Sequence, residues 1–131
     1  MKKLQCSILT PERYLFEGEA AFAVVQAYDG EMGFLVDHSP LMSELGSGEV
    51  RIYEGQDKQY FVVEGGIVEI KDNKLIILAE SAMKKDELNA EEIENRLKVL
   101  SEQDIPPFSK ERFEIQAESA RLKIRLKVAK R

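Results

Sequence analysis

Few residues in this chain have the types and spacing needed for catalysis or metal binding. His38 is the only histidine and Cys6 the only cysteine, which excludes a zinc site built from the usual nitrogen and sulfur ligands. His38 lies in the turn-like stretch Asp37-His38-Ser39-Pro40, where Ser39 or Ser43 could complete a Ser-His-Asp arrangement. Neither a strained nucleophile turn nor a fixed orienting carboxylate accompanies it. We therefore interpret His38 as structural, and predict no catalytic residue, metal or cofactor.

Two glycine-containing stretches could be mistaken for phosphate-binding loops. Gly46-Ser47-Gly48 and Gly65-Gly66 lack the Gly-Lys-Ser/Thr ending of such loops, and neither opens a helical pattern. We predict that they are turns between strands.

Glycine is confined to one part of the sequence. All eight glycines lie at or before Gly66, whereas residues 86–131 contain none and are rich in Leu, Lys, Glu, Arg and Ala, which lose little on entering a helix. This change in composition predicts a β domain at residues 1–84 and a helical domain at residues 85–131. A β domain of that size buries only ~60 to 65% of the surface that its unfolded chain exposes. The helices are therefore expected to pack against another surface.

Short apolar stretches in the first domain recur between turn signals, as in an antiparallel sandwich or barrel. Reversals are expected at Thr10-Pro11, Asp29-Gly30, Gly46-Ser47-Gly48, Glu54-Gly55 and Asp72-Asn73. The last of these should close a tight hairpin. The predicted strands are Leu4–Leu9, Arg13–Phe16, Ala20–Ala27, Phe34–Val36, Met42–Leu45, Glu49–Tyr53, Gln59–Glu64, Gly66–Lys71 and Lys74–Ala79.

The second domain is predicted to contain two helices joined by a loop with two prolines. Asn89 can cap the first helix by accepting a hydrogen bond from the amide of Glu92, and Pro106-Pro107 prevents that helix from continuing. Ser109 can cap a second helix that runs from Lys110 to about Lys130. We therefore expect an antiparallel two-helix hairpin.

The second helix carries two apolar stripes on nearly opposite sides. One contains Phe113, Ala117, Ala120, Ile124 and Val128, and the other contains Ile115, Leu122, Leu126 and Ala129. We expect the first stripe to close the hairpin, with the packing residues Ile93, Leu97, Leu100, Phe113 and Ile124. The opposite stripe would then meet the β domain or another protein, and periodicity alone does not decide between them.

Charge is unevenly distributed around a net charge of −5, which argues against general nucleic-acid binding. Residues 86–104 carry seven acidic and two basic side chains, whereas the segment Arg121–Arg131 carries six basic ones and no acidic one. No aromatic side chain near this basic run could stack on bases or anchor in a membrane. We expect the run to pair with the acidic first helix, through ion pairs weak enough to be exchanged for another acidic surface.

The single cysteine excludes an internal disulfide and is consistent with a reducing compartment. No apolar core of signal-peptide length follows Lys2 and Lys3, and no segment approaches the ~20 apolar residues of a membrane span. Any membrane association is therefore expected to come through a partner.

Four motifs in the first 82 residues occur in the order and spacing of a known family. They are Leu9-Thr10-Pro11-Glu12-Arg13-Tyr14-Leu15-Phe16-Glu17-Gly18-Glu19, Asp29-Gly30-Glu31-Met32-Gly33-Phe34-Leu35, His38-Ser39-Pro40-Leu41, and Gly65-Gly66-Ile67-Val68-Glu69-Ile70 with Asn73 and Ile77-Leu78-Ala79-Glu80-Ser81-Ala82. Together they resemble the epsilon subunit of rotary ATP synthases over residues 4–82, and the predicted helical hairpin completes the plan of that family.

The resemblance implies an N-terminal antiparallel β-sandwich of about ten strands followed by a C-terminal antiparallel two-helix hairpin, on the central stalk at the cytoplasmic face of the cell membrane. It implies no active site. The β domain would bind the gamma subunit, and the loop of Glu31 and His38 would face the ring of c subunits. In that family the helices restrain ATP hydrolysis by reaching the alpha and beta subunits, so the candidate inhibitory residues here are Arg121, Lys123, Arg125 and Lys127.

The chain departs from the family pattern at two places. Asp37 stands where the family usually has glycine before the ring-facing histidine. Some members bind ATP through an Ile/Leu-Asp-x-x-Arg-Ala stretch, which Leu88–Ile93 matches with Asn89 for the aspartate and Glu92 for the arginine. A glutamate there would repel phosphate, so we predict weak or no ATP binding. The alternative function is an independent β-sandwich ligand-binding module.

Overall fold

Residues 2–131, which this computed structural model describes, form seven β-strands followed by two α-helices. A 3₁₀ turn at Lys85–Glu87 joins the strands to the helices. The elements are β1 (Leu4–Leu9), β2 (Tyr14–Ala20), β3 (Phe22–Ala27), β4 (Gly30–Leu35), β5 (Leu41–Glu54), β6 (Asp57–Lys71), β7 (Lys74–Lys84), α1 (Ala90–Ser101) and α2 (Lys110–Ala129).

The strands form one sheet in the order β2-β1-β7-β6-β5-β3-β4. Neighbours are antiparallel except β1 and β7, which are parallel, so the sheet is mixed and not antiparallel throughout. The sheet curls around one core, because Phe16 of β2 meets Phe61 of β6 with ring centroids 6.0 Å apart although β1 and β7 lie between their strands. This closure gives the β-sandwich that the sequence predicts, with fewer strands than expected.

The core is apolar and closely packed. Burial raises the pKa of the Cys6 thiol to about 12, because a low-dielectric environment disfavours the thiolate. Cys6 is therefore an unreactive core residue. The largest side chains with less than 2% exposure are Phe34, Phe61, Leu4, Ile8, Ile52, Ile70, Leu75, Ile77, Val25, Val50, Val62 and Val63.

The expectation of about ten strands is wrong because the chain bends, and does not reverse, at two glycine stretches. Gly46-Ser47-Gly48 lies inside β5, and Gly65-Gly66 lies inside β6. The pairing of the two strands continues through the bend in one register, with Leu45 opposite Gly66 and Ser47 opposite Glu64. Two pairs of predicted short strands are therefore two long strands.

The bend changes which side of the strand faces the core. Phe61 and Val63 of β6 belong to the core before the bend, and Val68 and Ile70 belong to it afterwards, so the inward positions change from odd to even. Positive φ at Gly65 (78°) and Gly66 (135°) makes this change possible. We call this bend the glycine corner; it divides the outer surface of the sheet into two faces.

The predicted hairpin turn at Asp72-Asn73 and both predicted helix caps are confirmed. Asp72-Asn73 closes the β6–β7 hairpin with φ of 51° and 61°, the positive values that a two-residue type I′ loop requires. The Asn89 side chain accepts a hydrogen bond from the amide of Glu92 at 3.1 Å, and Ser109 accepts one from the amide of Arg112 at 3.1 Å. These caps set where α1 and α2 begin.

The hairpin closes through the stripe of α2 that was expected to face away from α1. Phe113 is 65% exposed, and Ile124 is half-buried beside Gly48 and Glu49 of the sheet. The assignment of these two residues to the hairpin interface is wrong, because α2 turns its Leu-rich side toward α1. The hairpin cluster contains Ile93, Leu97, Leu100, Leu88, Ile115, Leu122, Leu126 and Ala129.

We expect Gly66→Ala to destabilise the fold by roughly 3 kcal/mol. The added methyl group would overlap the carbonyl oxygen of Leu78, and an L-residue is strained at a φ of 135°. Gly46→Ala is the matched control at the same corner, since nothing lies within 4 Å of its added methyl group. Urea unfolding of both variants measures the difference, and equal losses would show that the corner tolerates a side chain at Gly66.

Candidate functional site

The hairpin lies across the outer face of β5 and β6. Val62 is completely buried although it points away from the core side of β6, which carries Phe61 and Val63. Val128 of α2 is also completely buried. The hairpin therefore covers this part of the sheet. We call the surface beneath it the covered face; its residues are Tyr60, Val62 and Glu64 of β6 with Glu49 and Arg51 of β5.

Two arginines near the end of the hairpin make bidentate ion pairs with the covered face. Arg125 donates to Glu64 at 2.7 and 2.8 Å, and Arg131 donates to Glu49 at 2.7 and 2.8 Å. The Arg131 guanidinium also lies 5.4 Å from the ring centroid of Tyr60. The Glu64 and Glu49 side chains are 8% and 5% exposed, so salt screens these pairs less than it screens ordinary surface pairs.

Glu49 is the centre of a larger charge network. It accepts hydrogen bonds from Arg131 and from Arg51, and Arg51 also donates to Glu31 at 3.0 Å. Burial alone would raise the pKa of Glu49, but the hydrogen bonds from Arg131 and Arg51 outweigh burial and hold this pKa below its ordinary value. The charged form of Glu49 is therefore stabilised by the docked hairpin.

The acidic first helix, α1, forms an ion pair with only one residue of the basic run in the described structure, which is fewer than expected. Lys130 pairs with Glu94 of α1 at 2.8 Å, but Arg125 and Arg131 pair with the sheet. The reason is that α1 meets the Leu-rich side of α2, whereas Arg125 is directed toward the sheet. Within residues 2–131, no carboxylate lies within ion-pair distance of three exposed members of the run, which are Arg121, Lys123 and Lys127.

The outer face beyond the glycine corner is apolar and open to solvent. By strand register Leu78 lies beside both Leu9 and Ile67, and Ile76 lies one row further along. Carboxylates of Glu44 and Glu80 border these side chains, and Glu69 lies between Ile76 and Met42 of β5. We call this surface the open face; its apolar residues Met42, Ile67, Ile76 and Leu78 are 37% to 63% exposed.

The loop between β4 and β5 has a fixed shape that explains the departure at Asp37. Asp37 has a φ of 67°, a value that favours glycine but that aspartate tolerates. The Asn73 side chain accepts a hydrogen bond from the Asp37 amide and donates one to its carboxylate at 3.1 Å. Donation from Asn73, followed by the charge of Lys2, lowers the pKa of Asp37. Asp37 therefore preserves the turn and adds a negative charge beside His38.

Glu31 and His38 do not lie in one loop. Glu31 is the second residue of β4, and His38 lies three residues beyond its end, so β4 separates them. Because β4 is an edge strand of the sheet, the two residues mark opposite ends of one sheet edge. His38 packs its ring 5.2 Å from the ring of Phe34, whereas the Glu31 carboxylate binds Arg51.

Sequence reasoning missed Glu49 and Glu64, although one signal pointed to the covered face. Phe61, Val62 and Val63 are consecutive apolar residues in a strand, which indicates that both faces of the strand are covered at that point. A carboxylate next to such a run, as Glu64 is, must find a partner in whatever covers the strand. The pattern does not reveal which element supplies the partner.

Neither helix in the described part of the chain is long and apolar enough to cross a membrane. In the same residues, no group of three or more His, Cys, Asp or Glu side chains is arranged to hold a metal ion.

Comparison with known sequences points to one family. A family model described as ATP synthase, Delta/Epsilon chain, beta-sandwich domain matches residues 3–85. The ATP synthase epsilon chain of Leptospira interrogans is 35% identical over 92% of this chain and 93% of its own length. That of Dehalococcoides mccartyi is 33% identical over 100% and 95%. The epsilon chain of Rubrobacter xylanophilus is 38% identical over 73% of this chain, but the match spans just under two thirds of its own length, 66%.

Comparison with solved structures agrees on the fold. A chain in a cryo-EM structure of Euglena gracilis mitochondrial ATP synthase, described as OSCP/F1/c-ring, superimposes with a TM-score of 0.73 at 20% identity, covering 98% of this chain and 78% of that one. A chain from the central stalk and c-ring of Tetrahymena thermophila mitochondrial ATP synthase gives 0.68 at 14% identity, covering 98% and 97%. At these identities the likeness concerns the fold.

We expect Glu49→Gln to lower the free energy of unfolding by roughly 2 kcal/mol at pH 7, because three charge-assisted hydrogen bonds from Arg131 and Arg51 are weakened. The folded state depresses the pKa of Glu49, so its contribution is present above the ordinary value of 4.5 and is lost as the pH falls further. The difference between wild type and variant should therefore shrink from pH 7 to pH 3 in urea unfolding. Glu17→Gln, at an exposed site of β2, is the control. A difference independent of pH would contradict the assignment.

Proposed function

The chain belongs to the ATP synthase delta/epsilon family, and we propose that it is the non-catalytic central-stalk subunit that couples the catalytic head to the c-ring through gamma. We further propose that its C-terminal helices restrain ATP hydrolysis. The observation that carries this proposal is the division of the outer sheet surface into two faces, one covered by the chain's own hairpin and one left apolar and open. Such a subunit would need one permanent interface and one that can be exchanged.

The open face is the surface that we assign to gamma. Ile67, Ile76 and Leu78 make a contiguous apolar area, from which Glu69 separates Met42 by register. Such areas on a stable fold commonly mark interfaces with other proteins. Their carboxylate border favours a partner whose own border is basic. The face is built from strands within the family match at residues 3–85, so binding here does not require the helices.

The edge of β4 is the surface that we assign to the c-ring. Glu31 and His38 mark its two ends, and Leu35 between them is 61% exposed. An edge strand offers unpaired backbone groups as well as side chains to a partner. The Asn73 contacts hold the His38 end in one shape, which suits a surface that must transmit torque. Membrane attachment would then come through the complex, at the cytoplasmic face of the cell membrane.

The second helix is the element that we assign to restraint of hydrolysis through the alpha and beta subunits. Arg121, Lys123 and Lys127 are exposed while the hairpin is docked, and are therefore available to an acidic surface. Arg125 is not available until its pair with Glu64 breaks. The residues that match the ATP-binding stretch of some relatives have structural roles here: Asn89 caps α1, and Ile93 is buried between the helices. This supports weak or no ATP binding.

The runner-up function is an independent ligand-binding module. An open groove of about 670 Å³ runs along the glycine corner, between the Leu9-Thr10-Pro11 segment and Leu78. Its walls continue into the open face, so a protein partner accounts for the groove without a small ligand. Co-purification with gamma, without turnover by the chain alone, distinguishes the two functions.

A chain truncated after Lys85 should still bind gamma, because the proposed open face and the division between domains at residues 84 and 85 leave that interface intact. Leu78→Glu in the truncated chain should weaken binding at least tenfold, since it places a charge at the centre of the apolar area. Leu35→Glu is the matched control, because it makes the same substitution at an exposed leucine of β4, outside the open face. Loss of gamma binding on truncation alone would overturn the division of labour between the domains.

Replacing Arg121, Lys123 and Lys127 with Gln should raise ATP hydrolysis by the assembled enzyme while leaving assembly intact. These residues make none of the docking ion pairs, but the charge of Lys127 acts on Glu49. A variant with only Arg121 and Lys123 replaced therefore separates the effect of the basic surface from a change in the position of the hairpin. The difference from wild type should be largest at ~10 mM salt, where the Debye length is about 30 Å, and should shrink as salt is added. A triple Lys58, Lys85 and Lys98 to Gln variant controls for net charge. Coincident rates at low salt would sink the mechanism.

A further inference from the structure

The hairpin has an apolar core of its own, whereas its contact with the sheet is more polar. Ile93, Leu100 and Leu122 are buried between α1 and α2, and Arg96 adds a bidentate pair to Glu118 at 3.0 Å. On the sheet side of α2, only Val128 is completely buried in the described structure. If the helices leave the sheet, they should therefore leave as one unit.

Apart from Val128, ion pairs supply much of the contact between the hairpin and the sheet. Arg125 reaches Glu64 and Arg131 reaches Glu49, each through two hydrogen bonds. Arg125 lies within α2, and Arg131 lies two residues beyond its last residue, Ala129. A shift of α2 by one turn would break both pairs, so the pairs also fix the register of the helix on the sheet.

The two carboxylates differ in what they retain when the hairpin leaves. Glu49 keeps its hydrogen bond from Arg51 at 2.8 Å, whereas the ion pair to Glu64 in the described residues comes from Arg125 alone. Neutralising Glu64 while the hairpin stays docked would leave the Arg125 guanidinium, 28% exposed, without its counter-charge. An unpaired, partly desolvated charge is costly, so the variant would favour the undocked hairpin.

We propose that Glu64 and Glu49 form a charge latch that holds the hairpin on the sheet by occupying Arg125 and Arg131. The latch competes with any outside acidic surface for the same two arginines. The strength of the latch sets the fraction of chains whose hairpin is free of the sheet. Glu64 contributes more to that strength than Glu49 does. This regulatory consequence rests on the proposed function, whereas the latch itself is a property of the isolated chain.

Val62 provides the reporter that tests the latch. It lies beneath the hairpin between Tyr60 and Glu64, so a cysteine in its place should be modified only when the hairpin is undocked. Val62→Cys is close in size, and the native Cys6 thiol is buried with its pKa raised to about 12. The measurement is the rate at which a disulfide reagent modifies the full-length chain at pH 8, where the reporter thiol reacts.

We expect Glu64→Gln to raise the modification rate of the Val62→Cys chain about tenfold, because a charge-assisted pair is lost. Glu49→Gln should raise it less, since Arg51 remains beside that position. The exchange of Glu64→Arg with Arg125→Glu should restore slow modification. Arg96→Gln is the matched control: it removes a bidentate pair of the same kind between α1 and α2, and should change the rate less than twofold.

Several outcomes would overturn the latch. Fast modification of Val62→Cys in the otherwise unchanged chain would mean that the hairpin does not cover the sheet. Equal effects of Glu64→Gln and Arg96→Gln, or no rescue by the charge exchange, would mean that the pair has no special role. Circular dichroism and urea unfolding of each variant separate undocking from unfolding. Because the assay uses the isolated chain, failure of the latch leaves the gamma-binding and hydrolysis tests unaffected.

Discussion

The glycine corner is the constraint on which the other features of this protein depend. Gly65 and Gly66 take positive φ values of 78° and 135°, and the backbone of β6 approaches that of β7 so closely that no Cβ fits at Gly66. This bend lets one continuous strand contribute to the core with odd residues on one side and even residues on the other. It thereby curls a single sheet into a sandwich and gives it two outer faces of different composition.

The different composition of the two faces explains why only one is covered by the chain itself. Before the corner, Val62 lies between a tyrosine and a carboxylate, so a helix that brings both apolar and basic side chains can cover it. Beyond the corner, Ile67, Ile76 and Leu78 form a wider apolar area with carboxylates only at its border. The first face suits a reversible contact with modest apolar burial, and the second suits a lasting interface with another protein.

Charge gives the covered face its specificity. Isolated surface ion pairs contribute ~0 to 1 kcal/mol each, but Glu64 and Glu49 are largely shielded from water and hold their arginines in bidentate geometry. Such pairs add little net stability relative to apolar packing, yet removal of one partner is costly. The docking of α2 is therefore selective for register and sensitive to single substitutions, as a contact that must both form and break requires.

The sequence by itself determined the two-part plan, the turn at Asp72-Asn73, the caps Asn89 and Ser109 and the family, because these depend on local backbone preferences and on motifs of fixed order. It did not determine that Gly46-Ser47-Gly48 and Gly65-Gly66 bend strands without reversing them, since glycine permits both and the choice depends on the pairing of β5 with β6 and of β6 with β7. Nor could periodicity decide which stripe of α2 meets α1. Either of two opposed apolar stripes could pack against α1. Only the position of the sheet, where Glu64 binds Arg125, decides which stripe does so.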